Sequence, residues 1–145
     1  MKQRIKRPDK NTPSRSLTKI IIIKVLPVIV FLVAGFLLVP YGSLYFQNNK
    51  VNTIQPKNEA VLFYKANCPH CQKVYPKIFW HNVLNLKNES KQIQTINVQN
   101  ANNKHYIAEF AIQSTPTFMK TTNINQRLVS TNSQQIKQFI QTGGH

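Results

Sequence analysis

From Ile20 to Phe46 the chain reads IIIIKVLPVIVFLVAGFLLVPYGSLYF, apolar on every helical face and broken by one charge, Lys24. A helix needs about 20 residues to cross a bilayer, and Val25–Phe46 meets that length. A buried helix of a small soluble protein shows an apolar stripe rather than an apolar circumference. Pro27 and Pro40 fall near the two ends, where interfacial water can meet a broken backbone bond. Tyr41, Tyr45 and Phe46 suit one membrane interface, and Lys24 can snorkel at the other. The pattern predicts a transmembrane helix over residues 20–46, retained as a signal anchor. A cleaved signal peptide is the competing reading. Against it stand the length of the run and the absence of a small-x-small site in Pro40-Tyr41-Gly42-Ser43-Leu44-Tyr45. With no cysteine near the span, a lipoprotein anchor is excluded.

The pattern differs on either side of this run. Residues 1–19 are polar and basic, carry Pro8 and Pro13, and show no apolar period, so they do not fold alone. Residues 47–58, QNNKVNTIQPKN, read as a polar linker with one breaker, Pro56. A folded domain is then expected over residues 59–145.

Within that domain, Ala60–Tyr64 is a short apolar run that reads as a buried strand. Cys71, Val74, Tyr75, Ile78, Phe79 and Asn82 recur at helical spacing, with Val83, Leu84 and Leu86 beyond, which predicts a helix over 69–86. Pro69 suits its first turn, and Pro76 lies inside it and should kink it. Gln92–Val98 alternates as a strand does. Ile93 is out of phase with Ile96 and Val98, which suggests a bulge or an edge position. A short helix over 103–110, strands over 116–120 and 127–130, and a last helix capped by Asn132 or Ser133 and stopped at Gly143-Gly144 complete the order. That order is β-α-β-α-β-β-α. The first two strands should be parallel with a right-handed crossover, and the last pair should form a hairpin. The fold class is α/β with a mixed central sheet, preceded by one transmembrane helix.

Charge sets the expected orientation. The chain has 145 residues and a net charge of +15. Eight basic groups against Asp9 fall before residue 25, and only Lys50 and Lys57 follow soon after the span. That asymmetry favours a cytoplasmic N-terminal tail and an extracytoplasmic domain, on a single-pass protein of the cell membrane. The basic tail is therefore read as topology and not as a nucleic-acid site, since no aromatic residue interleaves its cations for base stacking. The domain's lysines form a solvated face, able to lie over anionic lipid. A 41% hydrophobic content excludes wholesale disorder. Two cysteines exclude a disulfide-dense scaffold and a four-cysteine zinc site.

Both cysteines lie in Cys68-Pro69-His70-Cys71, directly after a predicted strand and opening a predicted helix. A zinc site would need two more ligands, and His70, His81, His105 and His145 show no paired metal spacing. A structural disulfide would close a loop too small to stabilise much. A thiol at a helix N-terminus instead meets unsatisfied N–H groups and the positive end of the helix dipole. Both depress its pKa, and each unit is worth about 1.4 kcal/mol of thiolate stabilisation. His70 can add a donor or a positive charge. Cys68 should be exposed, and Cys71, one turn in, should be shielded and act as the resolving thiol. This chemistry requires neither a metal nor a cofactor.

Over residues 59–142 the sequence resembles the thioredoxin-like superfamily, and its CPHC motif is similar to that of DsbA-type thiol:disulfide oxidoreductases. The strand–Cys68-Pro69-His70-Cys71–helix context carries the resemblance. So do Pro76, five residues after Cys71, and Ser114-Thr115-Pro116-Thr117-Phe118, which looks like the family's cis-proline loop. The resemblance implies that this loop lies beside the cysteines and that Thr115 and Pro116 form a substrate-docking edge. It also departs from the family: Leu62 stands where a buried acid is often found, and the helical insertion of DsbA-type proteins is missing.

The implied function is membrane-anchored exchange of disulfides with exported proteins or peptides, recycled by a membrane or extracytoplasmic redox partner. A stabilised Cys68 thiolate favours the oxidase direction. Thr115, similar to the threonine before the cis-proline in some relatives, pulls toward reductase or isomerase. The alternatives are a dedicated accessory for secreted-peptide export and an inverted topology with cytoplasmic targets.

Overall fold

In a computed structural model the described residues are Lys19, 21–47 and 53–142. The basic tail before Lys19, Lys50 and the Gly143-Gly144 stop lie outside them. The described residues group into two compact units that divide between Leu38 and Val39.

A π-helical turn, Ile21–Val25, leads into α1, Leu26–Phe46, which carries Pro40 within it. The side chains from Ile22 to Val39 are exposed on all sides. By length and composition Ile22–Phe46 is a candidate membrane span. From Leu26 to Val39 the run carries no polar side chain to compete for the backbone's own hydrogen bonds, which suits a helix in hydrocarbon.

The second unit is built on a four-stranded sheet in the order β2-β1-β3-β4. Its strands are β1 (Ala60–Tyr64), β2 (Ile93–Asn97), β3 (Thr117–Lys120) and β4 (Arg127–Leu128). β1 pairs in parallel with β2, with Ala60 opposite Ile93, and antiparallel with β3, with Phe63 opposite Thr117. β3 and β4 form the expected hairpin. The helices are α2 (Pro69–Leu84), α3 (His105–Glu109) and α4 (Ser133–Gln141), so the element order is the anticipated β-α-β-α-β-β-α.

All five residues of β1 are buried, and alternation divides them between two cores. Ala60, Leu62 and Tyr64 face a cluster with Cys71, Val74, Tyr75, Ile78, Ile136 and Ile140. Val61 and Phe63 face Ile96, Val98, Tyr106 and Met119. A sheet covered on both sides explains the phase of β2. Ile93 belongs to the first cluster and Ile96 to the second, so the mismatch reflects two buried faces and not a bulge. β2 is also an edge strand. Asn82 of α2 clamps its start: the Asn82 amide donates to the Ile93 carbonyl at 2.7 Å, and its Oδ1 accepts from the Ile93 N–H at 2.9 Å.

Some boundaries differ from expectation. α2 stops at Leu84 because Asn85 closes it, leaving Leu84 and Leu86 exposed. It runs through Pro76 without interruption. β4 is two residues long. Asn132 is the cap of α4, its side chain accepting from the N–H groups of Gln134 and Gln135. Thr53 and Gln55 lie against the β2 edge, hydrogen-bonded to the side chain of Gln94.

Candidate active site

β1 delivers the chain to the thiols. After Tyr64 the backbone turns, with the Cys68 N–H donating to the Lys65 carbonyl at 3.2 Å. Cys68 is the N-cap of α2, in an extended conformation, and Pro69 holds the first helical position. The Cys68 carbonyl accepts the first helical bond, from the Gln72 N–H at 3.0 Å. The Cys68 side chain therefore sits where the N–H groups of the first turn have no helical partner. Cys71, within that turn, is 1% exposed, Cys68 is half-buried, and Pro69 and His70 are exposed. Both cysteines are free thiols.

The second wall is the Ser114–Pro116 loop. The Thr115–Pro116 peptide bond is cis. The Thr117 hydroxyl donates to the Ser114 carbonyl at 2.6 Å and closes the turn. Pro116 is buried and Thr115 half-buried. The Cys68 thiol donates to the Thr115 carbonyl at 3.4 Å, so the loop and the cysteine motif meet directly.

The two sulfurs have opposite electrostatic environments. Burial works against charge on Cys68, but it is outweighed by the Cys71 N–H and thiol, by the Thr115 side chain and by the His70 N–H. The Cys68 pKa is held below its ordinary value. Cys71 is pushed up to about 11, first by burial and then by the Cys68 sulfur beside it, against the opposing pull of the Lys65 N–H and the Thr115 side chain. The pair is therefore divided into one sulfur that ionises readily and one that holds its proton.

Several residues around the pair carry no motif. Tyr64, at the end of β1, has its phenol raised far above the usual range by burial, with the Tyr75 and Cys71 side chains adding to it. Gln72 donates to the Ala66 carbonyl at 3.0 Å and holds the loop that leads to Cys68. Leu62 is buried in the core, so no carboxylate occupies that position on β1. Glu59 is paired instead with Lys120, at 3.4 Å. Among the described residues, no group of His, Cys, Asp or Glu side chains is gathered as metal ligands would be.

The profile of the family described as Thioredoxin matches residues 45–142. The chain belongs to the thioredoxin family. Its second compact unit is a thioredoxin fold with a mixed sheet, and two nearby cysteines at the start of α2, Cys68 and Cys71, point to thiol–disulfide redox chemistry in general terms. Among solved structures, the chain is similar to a thioredoxin of Fasciola hepatica, at 17% identity and a TM-score of 0.49, over 60% of this chain and 84% of that one. No curated protein matches it.

Proposed function

We propose that this thioredoxin-family protein is a membrane-anchored thiol:disulfide oxidoreductase that exchanges disulfides with exported proteins through Cys68 and Cys71. One observation carries the reading: a half-buried Cys68 with depressed pKa and a buried Cys71 that keeps its proton meet at a helix N-terminus. This is the division of labour that exchange requires, since the thiolate is the nucleophile.

In the reductase direction the Cys68 thiolate attacks one sulfur of a substrate disulfide and expels the other as a thiolate. Cys71 loses its proton and attacks Cys68 in the mixed disulfide. The substrate leaves as a dithiol, and the Cys68–Cys71 disulfide holds the oxidising equivalents. The oxidase direction runs the same bonds backwards: a substrate thiolate attacks Cys68 and expels Cys71, and a second substrate thiol then displaces Cys68. In either direction a redox partner in the membrane or outside the cytoplasm resets the pair. Thr115 and Pro116 serve as the docking edge for the client's backbone. Beside them a cavity of about 50 Å³ between Lys65, Ile107, Ile112 and Gln113 suits a small side chain. Pro69 presets the first helical turn and His70 contributes its N–H. The chemistry uses no cofactor and no nucleic acid.

The apolar helix supports the anchor, and the excess of basic groups before it supports a cytoplasmic tail and an extracytoplasmic domain. The equilibrium of the pair with glutathione tests the direction. The oxidase reading expects a strongly oxidising pair, and a value near that of a reducing thioredoxin overturns it. Trapping with Cys71→Ser, which stops the cycle at the mixed disulfide, should capture exported proteins. Loss of insulin reduction in Cys68→Ser separates the enzyme from a redox-inactive accessory.

A further inference from the structure

Leu44 is fully buried and shares a core cluster with Tyr64, Cys71 and Tyr75. Around it, four hydrogen bonds tie the segment 43–47 to the residues that surround Cys71. Ser43 Oγ lies 3.1 Å from the hydroxyl of Tyr75, four residues beyond Cys71. The Tyr64 hydroxyl donates to the Leu44 carbonyl and to Gln47 Oε1, both at 3.3 Å. The side-chain amide of Gln72, adjacent to Cys71, donates to the Tyr45 hydroxyl at 3.0 Å. Gln47 is held in turn by the Thr95 hydroxyl at 2.8 Å. Both ends of every link lie beyond Leu38, within one compact unit.

The geometry points to the segment 43–47 as a positioning clamp on the walls of the Cys71 thiol. Tyr64 and Tyr75 form those walls, their rings 4.9 Å apart, and Tyr64 is near enough to Cys71 for charge on one to oppose charge on the other. The clamp offers the Tyr64 hydroxyl, which is also hydrogen-bonded with Tyr75, acceptors in Leu44 and Gln47, and it gives the Tyr75 hydroxyl a second partner in Ser43. It thereby occupies both phenols that could otherwise turn toward the sulfur, and Leu44 packs into the same buried cluster as Cys71. A released phenol can turn its proton toward a Cys71 thiolate, and admitted water solvates that thiolate. Both effects favour ionisation. The seating of the helix end thus sets how firmly the resolving thiol keeps its proton. The inference deepens the oxidoreductase reading and takes its significance from it.

The test uses the full chain in detergent micelles with Cys68→Ser, so that Cys71 is the sole thiol. Its 13Cβ NMR shift is followed against pH. Ser43→Ala removes one partner of Tyr75, leaving Tyr64, and Gln47→Ala removes one acceptor of Tyr64 at an exposed position that packing does not need. Each should lower the Cys71 midpoint, raising its thiolate fraction below that midpoint about threefold, the worth of one neutral hydrogen bond. The double variant should exceed either single one. A midpoint that stays put or rises, whether or not the melting temperature falls, overturns the clamp and leaves the helix end a structural element. The readout needs no disulfide and no client. Failure to reduce insulin would therefore sink the oxidoreductase reading without touching this result.

Discussion

The sulfur of Cys68 lies 3.4 Å from the carbonyl oxygen of Thr115, 47 residues further along the chain. This contact has a sign. As a thiol, Cys68 donates to that oxygen. As a thiolate it has nothing to donate and meets the negative end of the carbonyl dipole. Ionisation should therefore swing the sulfur toward the N–H groups of His70 and Cys71, which offer it the bonds a capping side chain normally accepts.

Alkylation follows that thiolate. Because the Cys68 pKa is lowered from 9.0, iodoacetamide at neutral pH should label Cys68 and spare Cys71. The Cys68 rate should rise with pH to a midpoint below 9.0. Cys71→Ala removes the thiol that donates to Cys68, so this midpoint should move upward toward the ordinary value. A midpoint that is unchanged in Cys71→Ala would show that the backbone N–H groups alone hold the thiolate.

The resolving step should be pH-limited. Cys71 is raised from 9.0 to about 11, and Leu62 leaves no carboxylate on that position of β1 to take its proton. In the mixed disulfide Cys68 carries no charge, so its contribution is lost while burial remains. Release of a model peptide from the mixed disulfide should then accelerate about tenfold per pH unit above neutrality, as the thiolate fraction does. It should level off at a midpoint between 9.0 and about 11. A pH-independent release between 6 and 9, read by quenched-flow mass spectrometry, would reveal a proton acceptor other than solvent.

Asn82 should matter more to stability than its polar, half-buried character suggests. Its amide both gives and accepts a bond at Ile93, acting as a short substitute for a strand at the edge of the sheet. Asn82→Ala leaves a buried N–H and a carbonyl without these partners and should cost about 2 kcal/mol. Asn82→Asp should be worse, because it keeps the acceptor for the Ile93 N–H but sets a carboxylate against the Ile93 carbonyl. Urea titration of the full chain in micelles measures both, and equal stability of the two variants would count against a paired role.

These cases show what could be read in advance. The strand Ala60–Tyr64, the cap at Asn132 and the Cys68–Cys71 helix start are local signals, each set by residues within a few positions. The phase of Ile93 was legible only as an anomaly, since its cause is a second core that lies over the other sheet face. The Asn82–Ile93 clamp, the links from Ser43 and Leu44 to Tyr75 and Tyr64, and the Glu59–Lys120 pair were not legible. Their partners are distant in sequence, and polar side chains at such positions look the same whether they meet water or one another.

Lys120 offers the last prediction, because it separates folding from chemistry. It is 1% exposed. Its ammonium donates to the Ile140 carbonyl at 2.8 Å, lies 3.4 Å from the Glu59 carboxylate and sits 5.3 Å from the Phe139 ring. It therefore holds the C-terminal end of α4, where carbonyls lack helical partners, against the end of β1 away from the thiols. Lys120→Met removes all three contacts and strands Glu59, so it should cost about 3 kcal/mol. Lys120→Met with Glu59→Gln should cost less than the sum of the single changes, since the second removes the stranded charge. β3 runs from Thr117, next to the cis-proline, to Lys120, opposite Ala60, so the defect lies at the far end of the strand from Cys68. The Cys68–Cys71 equilibrium with glutathione should therefore be unchanged in any variant that remains folded. A shift there would mean that the far end of the sheet communicates with the thiols, contrary to a rigid β1–β3 pair.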